Sequence, residues 1–294
     1  MQNVDNDFLK LARLGKFAAW RYSLGLLIIL LSWLLAGIVI LVVSDPSLLT
    51  LKEPKKPDFQ SYIALQLSFI PLSLSTALVT KFLLGRSWLT LVSPELKFDF
   101  KKIVSSFWIF LPLCALAQLI GYLLAPSQYV YCGTWNVLLQ LPAVILTVFI
   151  QASAEELFFR GYLLQWMSLL SRNTVFLSCF NGLLFGIGHL GNPEISSDAL
   201  VGVFVYVSVG FFFSFITLLS RNLNLSIGCH VAANVFAASL VNYKDGTLAT
   251  ASLFSILHSN SVFELCSFIA VAGAALLIFR KLGYFGLNSK AALT

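Results

Sequence analysis

The sequence predicts an all-α, polytopic membrane protein, a helical bundle of about eight transmembrane helices with both the N and C termini in the cytoplasm. Of its 294 residues, 58% are hydrophobic and only 11% are charged, whereas soluble domains carry about 25% charged residues. The apolar runs are continuous rather than alternating, which argues against a transmembrane β-barrel. Helices are expected because a helix satisfies its backbone polar groups within one segment of the membrane.

Each predicted span is an apolar run of roughly the length that crosses a bilayer, about 20 residues. The basic residues 1–21 are expected to form a cytoplasmic tail with an amphipathic stretch, and segment 44–61 is a solvated connector. The first apolar run is too long for a signal-peptide core, so it is interpreted as a retained span. The eight predicted spans are 24–43, 62–84, 105–125, 136–151, 174–190, 199–220, 223–241 and 262–279.

The distribution of Lys and Arg predicts the orientation, because segments rich in these residues stay in the cytoplasm. With the N-terminus inside, the inside segments carry fourteen of the 19 basic residues, the outside segments carry four, and Lys81 lies within a span. The four outside residues are Lys52, Lys55, Lys56 and Lys244. The net charge of +6 is therefore attributed to membrane orientation, and no nucleic-acid partner is expected.

The chain divides into three parts by its motifs. Residues 1–135 form N-terminal membrane helices without a recognisable motif, 136–242 carry the candidate catalytic residues, and 243–294 contain a loop and the last transmembrane helix. The five cysteines are scattered without a CxxC pair, and we interpret them as packing residues. No internal repeat is found, which argues against a transporter built from inverted repeats.

The first candidate cluster lies directly after a long apolar run. Ionisable residues inside membrane segments are costly, so each is a candidate functional residue. Arg160 follows Glu156 by four residues, the spacing of a helical ion pair, so we expect Glu156 to be paired and structural. Glu155 points about 100° away on a helix. It is left without a local partner, which makes it the candidate base for proton transfer.

Two further clusters place polar side chains on helix faces. Phe185 and His189 share one face, and His230 and Asn234 share another, because residues four apart lie one above the other. Each motif alone has a structural explanation, such as a solvated helix cap or a hydrogen-bonded core histidine. Their occurrence in three successive segments of low charge favours a common site.

The three motifs and their order resemble those of the CPBP family of intramembrane proteases, which includes the CAAX prenyl endopeptidases and the bacteriocin-processing and immunity proteins of the Abi-like type. The resemblance covers about residues 140–242. The motifs read Glu155-Glu156-x-x-x-Arg160, Phe185-x-x-x-His189 and His230-x-x-x-Asn234.

The resemblance implies hydrolysis of a peptide bond in a membrane-embedded cavity. Glu155 would activate the attacking water, and His189 would hold it or help to deprotonate it. His230 and Asn234 would donate hydrogen bonds to the oxygen that becomes negative. The supporting residues implied by the resemblance are Glu156, Arg160 and Phe185.

Whether the site holds a metal is left open by the sequence. Glu155, His189 and His230 could supply three ligands to Zn²⁺ and leave one position for water. No HExxH motif is present, and a metal-free glutamate mechanism needs only the same residues.

Two classes of function remain open at this point. The first is an intramembrane endopeptidase of the CAAX type or one that processes leader or bacteriocin peptides. The alternative is a non-catalytic membrane scaffold, regulator or immunity protein of the same fold. The expected partners are the lipid bilayer and a peptide or membrane-protein substrate, and the expected location is a bacterial plasma membrane.

The spacing along the chain also predicts the depth of the site. Glu155 and His189 are each 17 residues from Arg172, so they lie level if their two spans form a hairpin that turns there. His230 is only nine residues from Arg221. The three residues therefore align only if the tip of the hairpin projects beyond the membrane, which places the site in the cytoplasmic half of the bilayer.

Overall fold

The computed structural model describes residues 6–46, 58–133, 135–193, 195, 199–244 and 246–285. These residues form a helical bundle, which confirms the all-α polytopic class. Both ends of the chain and much of the predicted connector 44–61 lie outside the described residues. The helices are α1 (Asp7–Lys10), α2 (Ala19–Ser44), α3 (Phe59–Leu67), α4 (Ile70–Leu78), α5 (Phe100–Leu124), α6 (Trp135–Glu156), α7 (Leu164–Met167), α8 (Thr174–Gly188), α9 (Ala199–Ser220), α10 (Asn224–Ser239) and α11 (Ser261–Lys281).

Six continuous helical stretches in the described part of the chain are long and apolar enough to cross a membrane. Two of these stretches contain a π-helical segment: Val79–Leu83 continues from the end of α4, and Leu157–Leu163 joins α6 to α7. The stretches are Ala19–Ser44, Phe59–Leu83, Phe100–Leu124, Trp135–Met167, Ala199–Ser220 and Ser261–Lys281.

The two remaining predicted spans are shorter helices. α8 has 15 residues and α10 has 16, whereas a span takes about 20. α10 packs against α5, α6 and α9, and most of its side chains are buried, so it is a core helix enclosed by its neighbours. The eight predicted spans thus correspond to six helices of spanning length and two short ones, and the positions of the termini stay a prediction.

The described part of the basic N-terminal segment docks onto the bundle, and its cytoplasmic location stays a prediction. Phe8 and Ala12 are fully buried, the Asn6 side-chain amide donates a hydrogen bond to the Leu218 carbonyl at 2.8 Å, and the Tyr22 hydroxyl donates to the Ala12 carbonyl at 2.9 Å. One face of this segment is apolar, and that face is removed from water by packing against the bundle. We call the end of the bundle covered by this segment the proximal end, and the opposite end the distal end.

Arg86 joins this docked segment to the long helix that contains α6 and α7. Its guanidinium donates to the Gln165 side-chain oxygen at 2.8 Å, to the Tyr22 hydroxyl at 3.1 Å and to the Leu11 carbonyl. Burial lowers the pKa of Arg86, and the nearby Tyr22 and Tyr162 oppose that shift. A guanidinium nevertheless stays protonated in proteins. The hydrogen bonds that Arg86 donates therefore hold the proximal end together.

A small sheet closes the distal end, where the sequence shows no strand pattern. It consists of β1 (Tyr129–Tyr131), β2 (Val241–Tyr243) and β3 (Phe254–Ile256). The order is β1-β3-β2, with β1 antiparallel and β2 parallel to β3. The Leu253 amide donates to the Ser239 carbonyl at 3.1 Å. The segment before β3 therefore satisfies a carbonyl at the end of α10, which would otherwise lack a partner.

The predicted topology can be tested by labelling single cysteines with a reagent that does not cross the membrane. In a background without the other native cysteines, we expect Arg13→Cys and Lys281→Cys to be labelled only from the cytoplasmic side. Arg13, Lys281 and Cys132 are all exposed, and Cys132, at the distal end, serves as the outside control. Labelling of the two introduced cysteines from opposite sides would refute an even number of spans.

Candidate active site

The two adjacent glutamates lie where the longest helix changes its hydrogen-bonding pattern. Residues Leu157–Leu163 form a π-helix immediately after Glu156, and such segments inside α-helices occur frequently at functional sites. The Phe159 carbonyl in this segment accepts a hydrogen bond from the Asn181 side chain of α8 at 2.7 Å. The π-helical segment thereby ties the helix that carries the glutamates to α8, the helix that His189 follows.

Glu156, Arg160 and His230 form a fully enclosed charged group. Glu156 and Arg160 are 0% exposed, and Arg160 Nη1 lies 3.0 Å from Glu156 Oε1, so the ion pair expected from the spacing is present. The same oxygen lies 2.9 Å from His230 Nδ1. Because an ionised carboxylate only accepts hydrogen bonds, Nδ1 carries the proton and donates it. Glu156 therefore also sets the orientation of the His230 ring.

Aromatic rings surround this group. The Arg160 guanidinium lies 4.5 Å from the ring centre of Phe185 and 5.4 Å from that of Phe213, distances at which a cation is attracted to the ring face. Phe213 also stacks on the His230 ring, with centres 5.0 Å apart. Arg160 Nη2 donates to the Gly210 carbonyl at 3.2 Å. Phe185 thus packs against the charged pair rather than lining an open surface.

Glu155 has a hydrogen-bond partner that the sequence analysis missed. Its Oε1 accepts a hydrogen bond from the Gln151 side-chain amide at 2.6 Å, one helical turn earlier on α6. Its Oε2 has no hydrogen-bond partner among the described residues and lies 3.7 Å from His230 Nε2. The expectation that Glu155 lacks a local partner was therefore wrong for one oxygen. The four-residue spacing between Gln151 and Glu155 is the sequence signal for this hydrogen bond.

Asn234 reaches the same group from α10. Its side-chain nitrogen donates to the Gln151 side-chain oxygen at 2.9 Å. His230 and Asn234 lie on one face of α10, as the spacing predicts, and both contact α6. The structure therefore brings five of the seven sequence-predicted site residues into one polar network, with Gln151 as an additional member.

His189 lies beside this network rather than within it. It follows the end of α8, its Nδ1 lies 2.8 Å from the Phe185 carbonyl, and its ring stacks on Tyr206 with centres 4.5 Å apart. A carbonyl only accepts, so Nδ1 donates and Nε2 is left as an acceptor. Phe185 contacts the rings of both His189 and His230, so it packs against both histidines.

A buried turn explains how His230 reaches the depth of Glu155. Asn222, between α9 and α10, and Asn224, the first residue of α10, are 5% and 2% exposed. The Leu223 amide donates to the Val92 carbonyl at 2.9 Å. α10 therefore begins inside the bundle, beneath the docked N-terminal segment. For this reason, His230 can lie at the same depth as Glu155 although it is close to Arg221 along the chain.

The donor set fits a metal ion poorly. Within the described ranges, no group of three or more His, Cys, Asp or Glu side chains is arranged to hold a metal. Of the three candidate ligands, Glu155 and His230 are close together, whereas the His189 ring packs on Phe185 and Tyr206. The chemistry proposed below therefore uses no Zn²⁺.

Comparisons with known proteins agree with the motifs. A family model described as "Type II CAAX prenyl endopeptidase Rce1-like" matches residues 136–236, the range that contains all seven candidate residues. A curated relative, the "Uncharacterized protein YyaK" of Bacillus subtilis (strain 168), is 30% identical over 286 residues, which cover 91% of this chain and 94% of the relative. No solved structure matches.

Proposed function

Because this chain belongs to the type II CAAX prenyl endopeptidase Rce1-like family, we propose that it is an intramembrane endopeptidase in which Glu155 activates the attacking water. It is a multi-pass integral membrane protein, and the Bacillus relative fits a bacterial membrane. The observation that carries the proposal is the buried Oε2 of Glu155, which no described residue hydrogen-bonds and which lies 3.7 Å from His230 Nε2.

This geometry suits the capture of one water molecule. Two polar atoms 3.7 Å apart can both lie within hydrogen-bond distance, about 2.8 Å, of the same oxygen. Glu155 Oε2 accepts a proton from that water while Gln151 holds Oε1. The water oxygen then forms a bond to the carbonyl carbon of the substrate, and the carbonyl oxygen becomes negative. The acceptor Nε2 of His189 is proposed to help orient the water from the side of α8.

Two donors are proposed to stabilise the negative oxygen. Glu156 accepts the Nδ1 proton of His230. With a second proton, taken up from solvent before the reaction, on Nε2, the ring would donate to the water oxygen before the attack and to the oxyanion after it. In that state the negative charges of Glu155 and Glu156 are balanced by the positive charges of Arg160 and His230. The second N–H of the Asn234 amide is the other proposed donor, because only one is used by Gln151.

Collapse of the intermediate completes the hydrolysis. The C–N bond breaks, and the proton that Glu155 took from water passes to the leaving amine nitrogen, as for a general base that becomes a general acid. The products are a free amine and a carboxylic acid, which ionises by releasing the second proton of the water to solvent. Glu155 returns to its ionised state without a covalent intermediate.

The substrate is proposed to be a membrane-associated peptide. The family description points to prenylated CAAX sequences, and leader or bacteriocin peptides are the alternative. The test is a mass-spectrometric comparison of new protein termini in membranes with the wild-type chain and without it. The purified chain in lipid nanodiscs is then assayed on the peptide so identified and on a farnesylated CAAX peptide. Termini that do not depend on the chain, together with an uncut farnesylated peptide, would overturn the protease proposal and favour a scaffold or regulator.

Asn234→Ala is expected to lower kcat by about 10²–10³, the usual effect of removing one oxyanion donor. Because Asn234 is only partly buried and carries no charge, the midpoint of thermal unfolding should stay close to that of the wild type. The measurement is steady-state kinetics on the identified peptide at equal amounts of folded protein. A wild-type kcat would remove Asn234 from the oxyanion site.

A further inference from the structure

We infer that Gln151 is a positioning residue that couples Asn234 to Glu155, an inference that rests on the proposed function. Gln151 is 6% exposed, and both ends of its amide are bonded. Its nitrogen donates to Glu155 Oε1 at 2.6 Å, and its oxygen accepts from the Asn234 nitrogen at 2.9 Å. One side chain thus contacts both the proposed base and a proposed oxyanion donor.

The charge state of Glu155 dictates which way both amides face. An ionised carboxylate only accepts hydrogen bonds, so the Gln151 nitrogen must face Glu155 and its oxygen must face Asn234. That oxygen in turn needs a donor, so the Asn234 nitrogen faces Gln151, and the Asn234 oxygen points elsewhere. The ionised Glu155 thereby fixes the orientation of the Asn234 amide. One N–H of that amide donates to Gln151, and the other is left to donate to the substrate.

Hydrogen bonds between side chains also link the two helices that form the site. α6 and α10 pack together, and the first link is the bond between Glu156 and His230. The second joins Gln151 to Asn234, about one turn away on each helix. The charged link fixes the ring of His230, and the neutral link fixes the amide of Asn234.

Loss of Gln151 should therefore act on the transition state rather than on binding of the substrate. Without the amide, Asn234 can rotate and present its oxygen to the negative oxygen of the intermediate, which is repulsive. Glu155 Oε1 loses its donor, and the carboxylate is no longer held against His230. An interaction needed only in the transition state affects kcat and leaves KM unchanged.

The test replaces Gln151 by an apolar residue of similar size. Gln151→Leu is expected to lower kcat by about 10–100-fold with KM within about twofold, a typical loss for a residue that orients functional groups. The matched control is Gln140→Leu on the same helix, where the side-chain oxygen accepts from the Ala251 amide at 2.9 Å, in the segment before β3. The control should keep the wild-type kcat. If Gln151→Leu also keeps it, the inference is overturned.

A double-mutant cycle separates positioning from general structural damage. If Gln151 acts through Asn234, the Gln151→Leu/Asn234→Ala protein should lose far less than the product of the two single losses. Multiplicative losses would contradict the coupling. The proposed function has its own control in Glu155→Gln. Activity retained by Glu155→Gln refutes the protease mechanism, whereas a wild-type Gln151→Leu beside an inactive Glu155→Gln refutes only the role of Gln151.

Discussion

Glu156→Ala is expected to destabilise the folded protein by about 3–5 kcal/mol, because it leaves a buried arginine without its counter-charge. Arg160 is 0% exposed, and in the described part of the chain its ion-pair partner is Glu156, at 3.0 Å. His230 loses the acceptor of its Nδ1 proton in the same variant. The measurement is thermal or denaturant unfolding of the purified protein in nanodiscs. Because the variant is less stable, the yield of folded protein should also fall.

The control for this prediction removes both charges. Replacement of a buried ion pair by apolar residues is often neutral, so Glu156→Leu/Arg160→Met should regain much of the stability that Glu156→Ala loses. A different result would change the assignment of roles. If the Glu156→Gln protein unfolds like the wild type yet cleaves nothing, Glu156 rather than Glu155 is the base.

Glu155→Gln is expected to lower turnover by about 10²–10⁴, the usual contribution of a positioned general base. The amide keeps the size of the side chain and can still accept the hydrogen bond from Gln151, but it cannot take a proton from water. Glu155 is not the partner of Arg160 in the 3.0 Å ion pair, so the fold should remain intact. The measurement is cleavage of the identified peptide at equal membrane abundance.

The matched control for Glu155→Gln is the same exchange at the exposed Glu95. Glu95→Gln should cleave the peptide at the wild-type rate, because that carboxylate lies on the surface at the proximal end. Undiminished cleavage by Glu155→Gln would show that Glu155 is not the base and would refute the proposed mechanism.

The helical core of the site could be predicted from the sequence because its contacts follow helix periodicity. The Glu156–Arg160 pair and the common face of His230 and Asn234 depend only on four-residue spacings within one helix. The clustering of these residues in an apolar chain then indicated a shared site, since isolated charges in membrane segments are costly.

The features that could not be predicted depend on contacts between distant segments. The π-helical turn at Leu157–Leu163 is accompanied by a bond from Asn181 of another helix, and the docking of Phe8 requires the surface formed by the assembled bundle. Gln151 escaped notice because an uncharged amide in an apolar run gives no signal until its two partners are known. The strands of the distal sheet are three residues each, too short for an alternating pattern.

The central claim is that a water molecule activated by Glu155 attacks the substrate directly. A single turnover of the purified chain on its peptide in water enriched with oxygen-18 tests this claim most directly. The account predicts one heavy oxygen in the new carboxylate of the product and none in the proteolytic fragment that contains Glu155. Heavy oxygen in Glu155 would indicate a covalent acyl intermediate and would contradict the account.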